Sequence, residues 1–355
     1  MKHFDMNVLQ YPDYADSNPY QTLMFDALRD QGCRVVSFNG SPRMLLRRLL
    51  SDPSDILHLH WISGHVVDPN KLQVWASMAI FATALAIWRL RGKKIVWTLH
   101  NLVNHEQQNT GLDRLNSKIV ARLADAILIH GESARGAAKE ALGVSEEKFF
   151  VVPHGNYDGI VAYRPPRDCS KDVGSQGHRF LFAGSIKTYK GVPDLIEAFG
   201  TLDGPHHLRI VGHASDPDLK QTIETEACKD SRVTCQLKFV SDAELEDNLG
   251  WADVVVMPYR DIFTSGSLLL ALTAGRPVVA PNIGLIPDYV DEKSAYLYSA
   301  AENNGLSKAL EKAAKDSELK DRSQAARRAA DKVSWESVVN RLIVIYENLV
   351  TRGKA

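Results

Sequence analysis

Residues 261–281, DIFTSGSLLLALTAGRPVVAP, constrain the fold more than any other stretch of the chain. Residues 268–274 carry no charge, so a helix there must be buried. Thr264, Ser265, Gly266 and Ser267 before it are the small polar residues of a helix start. Gly275 suits the left-handed position that ends a helix, and Pro277 follows where no helix continues. Residues 277–280 then read as a short strand buried on both faces. A buried helix opening on Ser-Gly-Ser aims unpaired N–H groups at one point, and the helix dipole makes that point favourable for a phosphate. The plainer reading makes Ser265 an ordinary N-cap.

The same rhythm runs through the whole chain. Strands are expected at residues 7–10, 35–38, 56–61, 94–99, 126–130 and 149–152, and again at 180–183, 208–211, 233–239 and 254–257. Strands alternating with helices imply parallel sheets, and 355 residues imply more than one core. The expected fold is α/β, two doubly wound Rossmann-like domains facing across a cleft. The first takes residues 1–162, a linker rich in Pro, Gly, Asp and Ser takes 163–178, and the second takes 179–333, with a last helix in 334–355. Ligands of such a fold bind at the carboxyl ends of the strands.

Composition removes several function classes. A formal net charge of −1 gives no electrostatic case for nucleic acid. Cys33, Cys169, Cys228 and Cys235 show neither CxxC nor zinc spacing and read as reduced thiols of a cytoplasmic protein. The N-terminal residues lack the apolar core of a signal peptide. Residues 74–90, VWASMAIFATALAIWRL, are short for a membrane span and are expected as a helix buried against the sheet. The alternative is a helix that also grazes a membrane, which would place the protein peripherally at its inner face.

Polar residues collect at the expected strand ends. His58, His60, Trp61, His100, Asn101, His105, Glu106, His130, His154 and His213 all fall there. Histidine and glutamate at a cleft can bind sugar hydroxyls or take a proton from one. No pair has metal-ligand spacing on one helix, so no metal is expected. Gly184 begins GSIKTYKG after a strand, where Lys187 and Lys190 can reach a diphosphate as point charges.

Together these residues resemble the GT-B glycosyltransferases of the family 4 superfamily, from the first strand to the last helix. There, G-R-L-x-x-x-K-G supplies an Arg and a Lys to the donor diphosphate. Here Lys190 matches, Ser185 stands for the arginine, and Lys187 is the substitute charge. The family's P-x-G-x-D appears as Pro153-His154-Gly155-Asn156. The segment Ser334-Trp335-Glu336 and its helix look like the piece that crosses back onto the first domain.

The resemblance implies a transferase using a nucleoside-diphosphate sugar, GDP- or UDP-linked, with no cofactor or metal. It places Ser265, Gly266, Ser267 and Lys190 on the diphosphate, Lys238 and Val240 at the base, and Tyr259 and Arg260 along the donor pocket. Asn18, Tyr20, His60, Trp61, Asn101, His105 and His154 are the acceptor-side residues. Glu106 is the candidate base and His100 the second. The motif E-G-F-G-x-x-x-x-E of the family is absent, because Ile262 and Leu270 occupy its two glutamate positions. The Ser-Gly-Ser form looks like a bacterial exopolysaccharide, mannosyltransferase-like branch. GDP-mannose is then the preferred donor and a saccharide or polyprenyl-diphosphate-linked saccharide the acceptor. Retention and inversion both stay open. An epimerase on the same fold and a non-catalytic nucleotide-binding scaffold are the competing functions; no GxGxxG follows the first strand, which argues against an oxidoreductase.

Overall fold

The computed structural model describes residues 6–102, 110–165, 167 and 177–352. Its first half runs β1 (Asn7–Tyr11), α1 (Pro19–Asp30), β2 (Arg34–Ser37), α2 (Pro42–Leu49), β3 (Ile56–Leu59), α3 (Lys71–Leu90), β4 (Lys94–Thr98), α4 (Thr110–Leu123), β5 (Ala126–Ile129), α5 (Ala134–Leu142) and β6 (Phe149–Val151). The second half runs β7 (Arg179–Ala183), α6 (Val192–Gly200), β8 (His207–Val211), α7 (Pro217–Ala227), β9 (Val233–Gln236), α8 (Asp242–Trp251), β10 (Val254–Val256), α9 (Gly266–Thr273), β11 (Val278–Pro281), α10 (Ile286–Tyr289) and β12 (Ala295–Tyr298). Three helices follow: α11 (Gly305–Ala314), α12 (Leu319–Asp331) and α13 (Trp335–Arg352).

The strands form two six-stranded sheets, ordered β2-β1-β3-β4-β5-β6 and β12-β11-β10-β7-β8-β9, with every strand pair parallel. The expected α/β, doubly wound class is what the chain adopts. Strand order reverses between β1 and β3 in one sheet and between β7 and β10 in the other, and such switch points open crevices at the strands' carboxyl ends. Strands such as Ala126–Ile129 and Val254–Val256 are buried at every residue, as helices on both faces require.

Local chemistry starts the helices where polar residues permit. Asn18 accepts from Tyr20 N ahead of Pro19, Asn70 caps α3, and Ser241 with Glu244 forms a capping box on α8. α4, α10 and β12 are not in the sequence reading; Leu112, Leu115 and Ile119 carry the helical spacing of α4 and pack against Val66, Val74 and Met78.

The chain divides into two compact units, Met1–Gly155 with Trp335–Ala355, and Asn156–Ser334. The first therefore ends at Gly155 rather than at residue 162. α13 belongs to it: Trp335, Val338, Val339, Leu342 and Tyr346 share a core with Val8, Tyr20, Met24, Ile56 and Val96. α3 departs from the expectation of a buried helix. Val74, Met78, Phe81, Ala84, Leu85 and Trp88 face inward, but Leu72, Trp75 and Leu90 are exposed and the outward stripe between them is Ala76, Ala79 and Thr83. Among the described residues it is the one helix long and apolar enough to cross a membrane.

Gly155 is where α13 meets the end of the β6 strand path. A Cβ there would lie 2.3 Å from Trp335 Cε2, against a buried indole that would have to shift. Gly155→Ala should therefore cost about 1–3 kcal/mol of stability, read as a lower urea midpoint with an unchanged slope. An unchanged midpoint would mean Trp335 is not held there.

Candidate active site

In the first unit, consecutive strands β3, β4, β5 and β6 are each followed by a histidine: His60, His100, His130 and His154, with His58 inside β3. All five are buried. Three form a row. His130 Nδ1 lies 3.0 Å from the Val152 carbonyl, His130 Nε2 lies 3.3 Å from His100 Nδ1, and His100 Nε2 lies 3.3 Å from His60 Nδ1. Since Val152 offers only an acceptor, His130 Nδ1 carries the hydrogen, and neutral rings then alternate: His100 Nδ1–H donates to His130, and His60 Nδ1–H donates to His100. The side-chain amide of Gln10 lies 2.8 Å from His60 Nε2 and, with its nitrogen turned to the ring, supplies the last hydrogen of the row. Behind it, His58 bonds Thr98 Oγ1 at 2.7 Å and the Tyr346 hydroxyl of α13 at 2.6 Å.

Burial holds these rings neutral. It pushes His58 down to about 3, with the nearby His130 adding to the effect. His130 falls to about 4 by burial, against a bond to Val152 that raises it. His154 falls to about 3 for the same first reason, and His60 and His100 go well below the ordinary imidazole range.

This arrangement changes several sequence assignments. His100 has both ring nitrogens engaged and its face stacked on Trp61 at 4.1 Å, so it has no nitrogen left to take a proton from an acceptor. Tyr20 is not an acceptor contact but core, with its ring against His60, His100, His130, His154 and Trp335. Asn18 serves as the cap of α1, and His154 Nδ1 bonds the Gly155 carbonyl. His105 and Glu106 lie outside the described residues.

Trp61 and Asn101 do border open space. A cavity of about 220 Å³ is lined by Tyr14, Trp61, Trp97, His100, Asn101 and Asp113, among others. Beyond Tyr14, Trp61, Gly64 and Val67 a second cavity of about 410 Å³ extends to Gln73 and Ser77 of α3. Both sit by the β1/β3 switch point. The sequence reading missed Asp113 because it missed α4.

In the second unit the site is built on the loops after β7 and β10. Ser265 Oγ accepts from Leu268 N at 3.2 Å and caps α9, as an ordinary N-cap does. The cap also fixes where Gly266 and Ser267 present their N–H groups. Gly184, at φ 140, lets that helix start approach: a Cβ there would lie 3.2 Å from Ser267 Oγ and 3.5 Å from Lys190 Nζ. Gly191, at φ 63, packs under the Pro258 carbonyl, where a Cβ would come to 2.1 Å. Arg260 N donates to the Tyr189 carbonyl at 2.8 Å, so the two loops are stitched together. Lys190 is buried, its ammonium 5.6 Å above the Tyr259 ring and 3.5 Å from Ser185 Oγ. Among the described residues it has no carboxylate partner.

The side chains of Lys187, Arg260 and Lys238 have partners of their own. Lys187 Nζ reaches Ser215 Oγ at 3.2 Å, on the β8 side of β7 and away from β10. Arg260 is held by both oxygens of Asp194, at 2.7 and 2.6 Å. Lys238 pairs with Glu244 at 3.2 Å, and it and Val240 follow the edge strand β9, two strands from β7. Gly184, Lys190, Tyr259, Gly266 and Ser267 come together. Among the described residues no group of three or more His, Cys, Asp or Glu side chains could hold a metal.

A histidine kept neutral in the fold takes its proton only on unfolding. Its stabilisation is complete above the ordinary pKa of about 6.5 and is lost as pH falls below it, by up to about 1.4 kcal/mol per pH unit per group until the depressed value is reached. Urea midpoints should therefore fall steeply from pH 7 to pH 5, with a slope of several protons, and His130→Asn should remove about one proton from that slope. Midpoints flat across that range would contradict the neutral row.

Comparison with known proteins gives the family. Residues 11–156 match the family model described as Glycosyltransferase Family 4, and residues 177–316 match that described as Glycosyl transferases group 1. A GDP-mannose:glycolipid 4-beta-D-mannosyltransferase of Xanthomonas campestris pv. campestris is 30% identical over 290 residues, spanning 80% of this chain and 76% of that one. A D-inositol 3-phosphate glycosyltransferase of Corynebacterium urealyticum is 23% identical over 359 residues, spanning 94% of this chain and 80% of its own. Among solved structures, Anabaena HepE in complex with UDP and glucose has a TM-score of 0.71 at 15% identity, covering 97% of this chain and all of that one, which shows the shared fold. The chain belongs to the GT-B glycosyltransferases of the family 4 type, and it is a hexosyltransferase.

Proposed function

We propose that the chain moves mannose from GDP-mannose to a lipid-linked saccharide in the synthesis of a bacterial surface polysaccharide. The observation that carries this reading is the buried Lys190 ammonium beside the N-terminus of α9, a preformed seat for a diphosphate. The sugar and the acceptor follow from the Xanthomonas relative, whose name gives GDP-mannose and a glycolipid. A β-linked product from the α-linked mannose of GDP-mannose would be inversion, reached by direct displacement. The charge on the leaving GDP is met by Lys190 and the helix N-terminus, so the reaction is read as needing no metal.

The test is transfer of radiolabelled mannose from GDP-mannose into the lipid extract of bacterial membranes, with and without EDTA. Transfer undiminished by EDTA is expected. Lys190→Met should weaken GDP binding about tenfold to a hundredfold, the worth of a charge-assisted hydrogen bond. Equal binding of GDP by the variant would remove Lys190 from the diphosphate site. Free mannose or an epimerised sugar nucleotide in place of labelled lipid would remove the transferase reading.

A cytoplasmic protein with peripheral membrane contact fits such an acceptor. α3 packs beside α2, whose Arg43 and Arg47 are exposed and suit anionic headgroups. Leu72→Ser with Trp75→Ser should reduce sedimentation with vesicles containing phosphatidylglycerol and leave GDP binding intact. Unchanged sedimentation would place the membrane contact elsewhere.

A further inference from the structure

We propose that Asp113 takes the proton from the acceptor hydroxyl. The inference rests on the transferase reading above and names the base of that reaction.

The carboxylate stands in the first turn of α4, buried, and lines the 220 Å³ cavity together with Trp61, Trp97, His100 and Asn101. Aromatic faces with a carboxylate and an amide beside them are the surroundings a sugar ring needs, because C–H groups meet the rings while hydroxyls meet the polar atoms. Ser63 Oγ donates to Asp113 Oδ1 at 2.6 Å. Ser63 belongs to the 3-10 turn Ile62–His65, and Asn116, one turn along α4, fixes that turn by donating to the Ile62 carbonyl and bonding His65 Nε2, each at 3.2 Å. The carboxylate is thus aimed by a rigid wall. Among the described residues no lysine or arginine pairs with it, so its charge is not already spent on a cation. The neighbouring His100 is ruled out by its two engaged nitrogens.

The step balances. The acceptor oxygen forms a bond to the anomeric carbon of the donor sugar as that carbon's bond to the diphosphate oxygen breaks. The breaking bond's electron pair leaves with the nucleoside diphosphate, and the acceptor proton passes to a carboxylate oxygen of Asp113. Ser63 is a positioning residue, since it acts only through Asp113.

Asp113→Asn removes the basic oxygen but keeps an acceptor for the Ser63 hydroxyl, whereas Ser63→Ala breaks the link and keeps the carboxylate. These variants and Glu106→Gln would be compared for mannose transfer, for GDP binding by calorimetry and for thermal stability. Asp113→Asn should lower kcat about a hundredfold or more with KM and GDP binding little changed, and Ser63→Ala should lower it less than about tenfold. Asp113→Ala should regain transfer on addition of formate, which refills the carboxylate position. The proposal is overturned if Asp113→Asn keeps full turnover, if it and Ser63→Ala fall together, or if formate restores nothing. Loss in Glu106→Gln with Asp113→Asn unaffected would assign the base to Glu106. If the wild-type protein uses another sugar nucleotide, the GDP-mannose reading fails while the same comparison is run on that donor.

Discussion

The first unit depends on keeping five imidazoles out of water at the ends of adjacent parallel strands. A buried polar ring without a partner costs about 1–3 kcal/mol, so the rings must satisfy one another. They do so in one direction, from the Val152 carbonyl through His130 and His100 to His60 and Gln10. The same requirement explains why α13 belongs to this unit. Its Tyr346 hydroxyl meets His58, so the last helix completes a hydrogen-bond network as well as an apolar core. A row built this way is a scaffold for the cavity beside it. It fixes the orientation of His100 and of the Trp61 ring stacked on it, and leaves proton transfer to a group outside the row.

The second unit solves a different problem with backbone. Glycines at 184 and 191 remove the side-chain bulk that would keep the β7 loop from α9 and from Pro258. That close approach places an ammonium, a helix N-terminus and an aromatic face around one point. In the proposed transfer charge appears on the diphosphate as the sugar bond breaks, and groups already in position need not reorganise to meet it.

Both sheets apart from the edge strand β12, and the helix start at Ser265, were legible in the sequence because period and punctuation carry them: apolar runs bounded by Gly, Pro and Ser. The residues that gather at strand ends were legible as a set, but not their roles. Histidine reads the same whether it faces a substrate or another histidine, and only the distances at His100 separate the two. Lys187, Arg260 and Lys238 follow strands as the pattern requires, yet each side chain finds a partner of its own: Ser215, Asp194 and Glu244. Those pairings are set by loop geometry, which leaves no periodic trace. Asp113 was hidden for a simpler reason. Its helix follows residues 100–109, and the Leu112, Leu115, Ile119 spacing that reveals it is weak beside the long apolar α3.

In the proposed reaction the donor diphosphate sits between the β7 loop and the start of α9. A crystal structure with GDP bound tests it most directly. Diphosphate oxygens should lie within hydrogen-bond reach of Lys190 Nζ and of the N–H groups of Gly266 and Ser267. A diphosphate held instead by Lys187, Arg260 or Lys238, with Lys190 still facing only Ser185 and Tyr259, would contradict it.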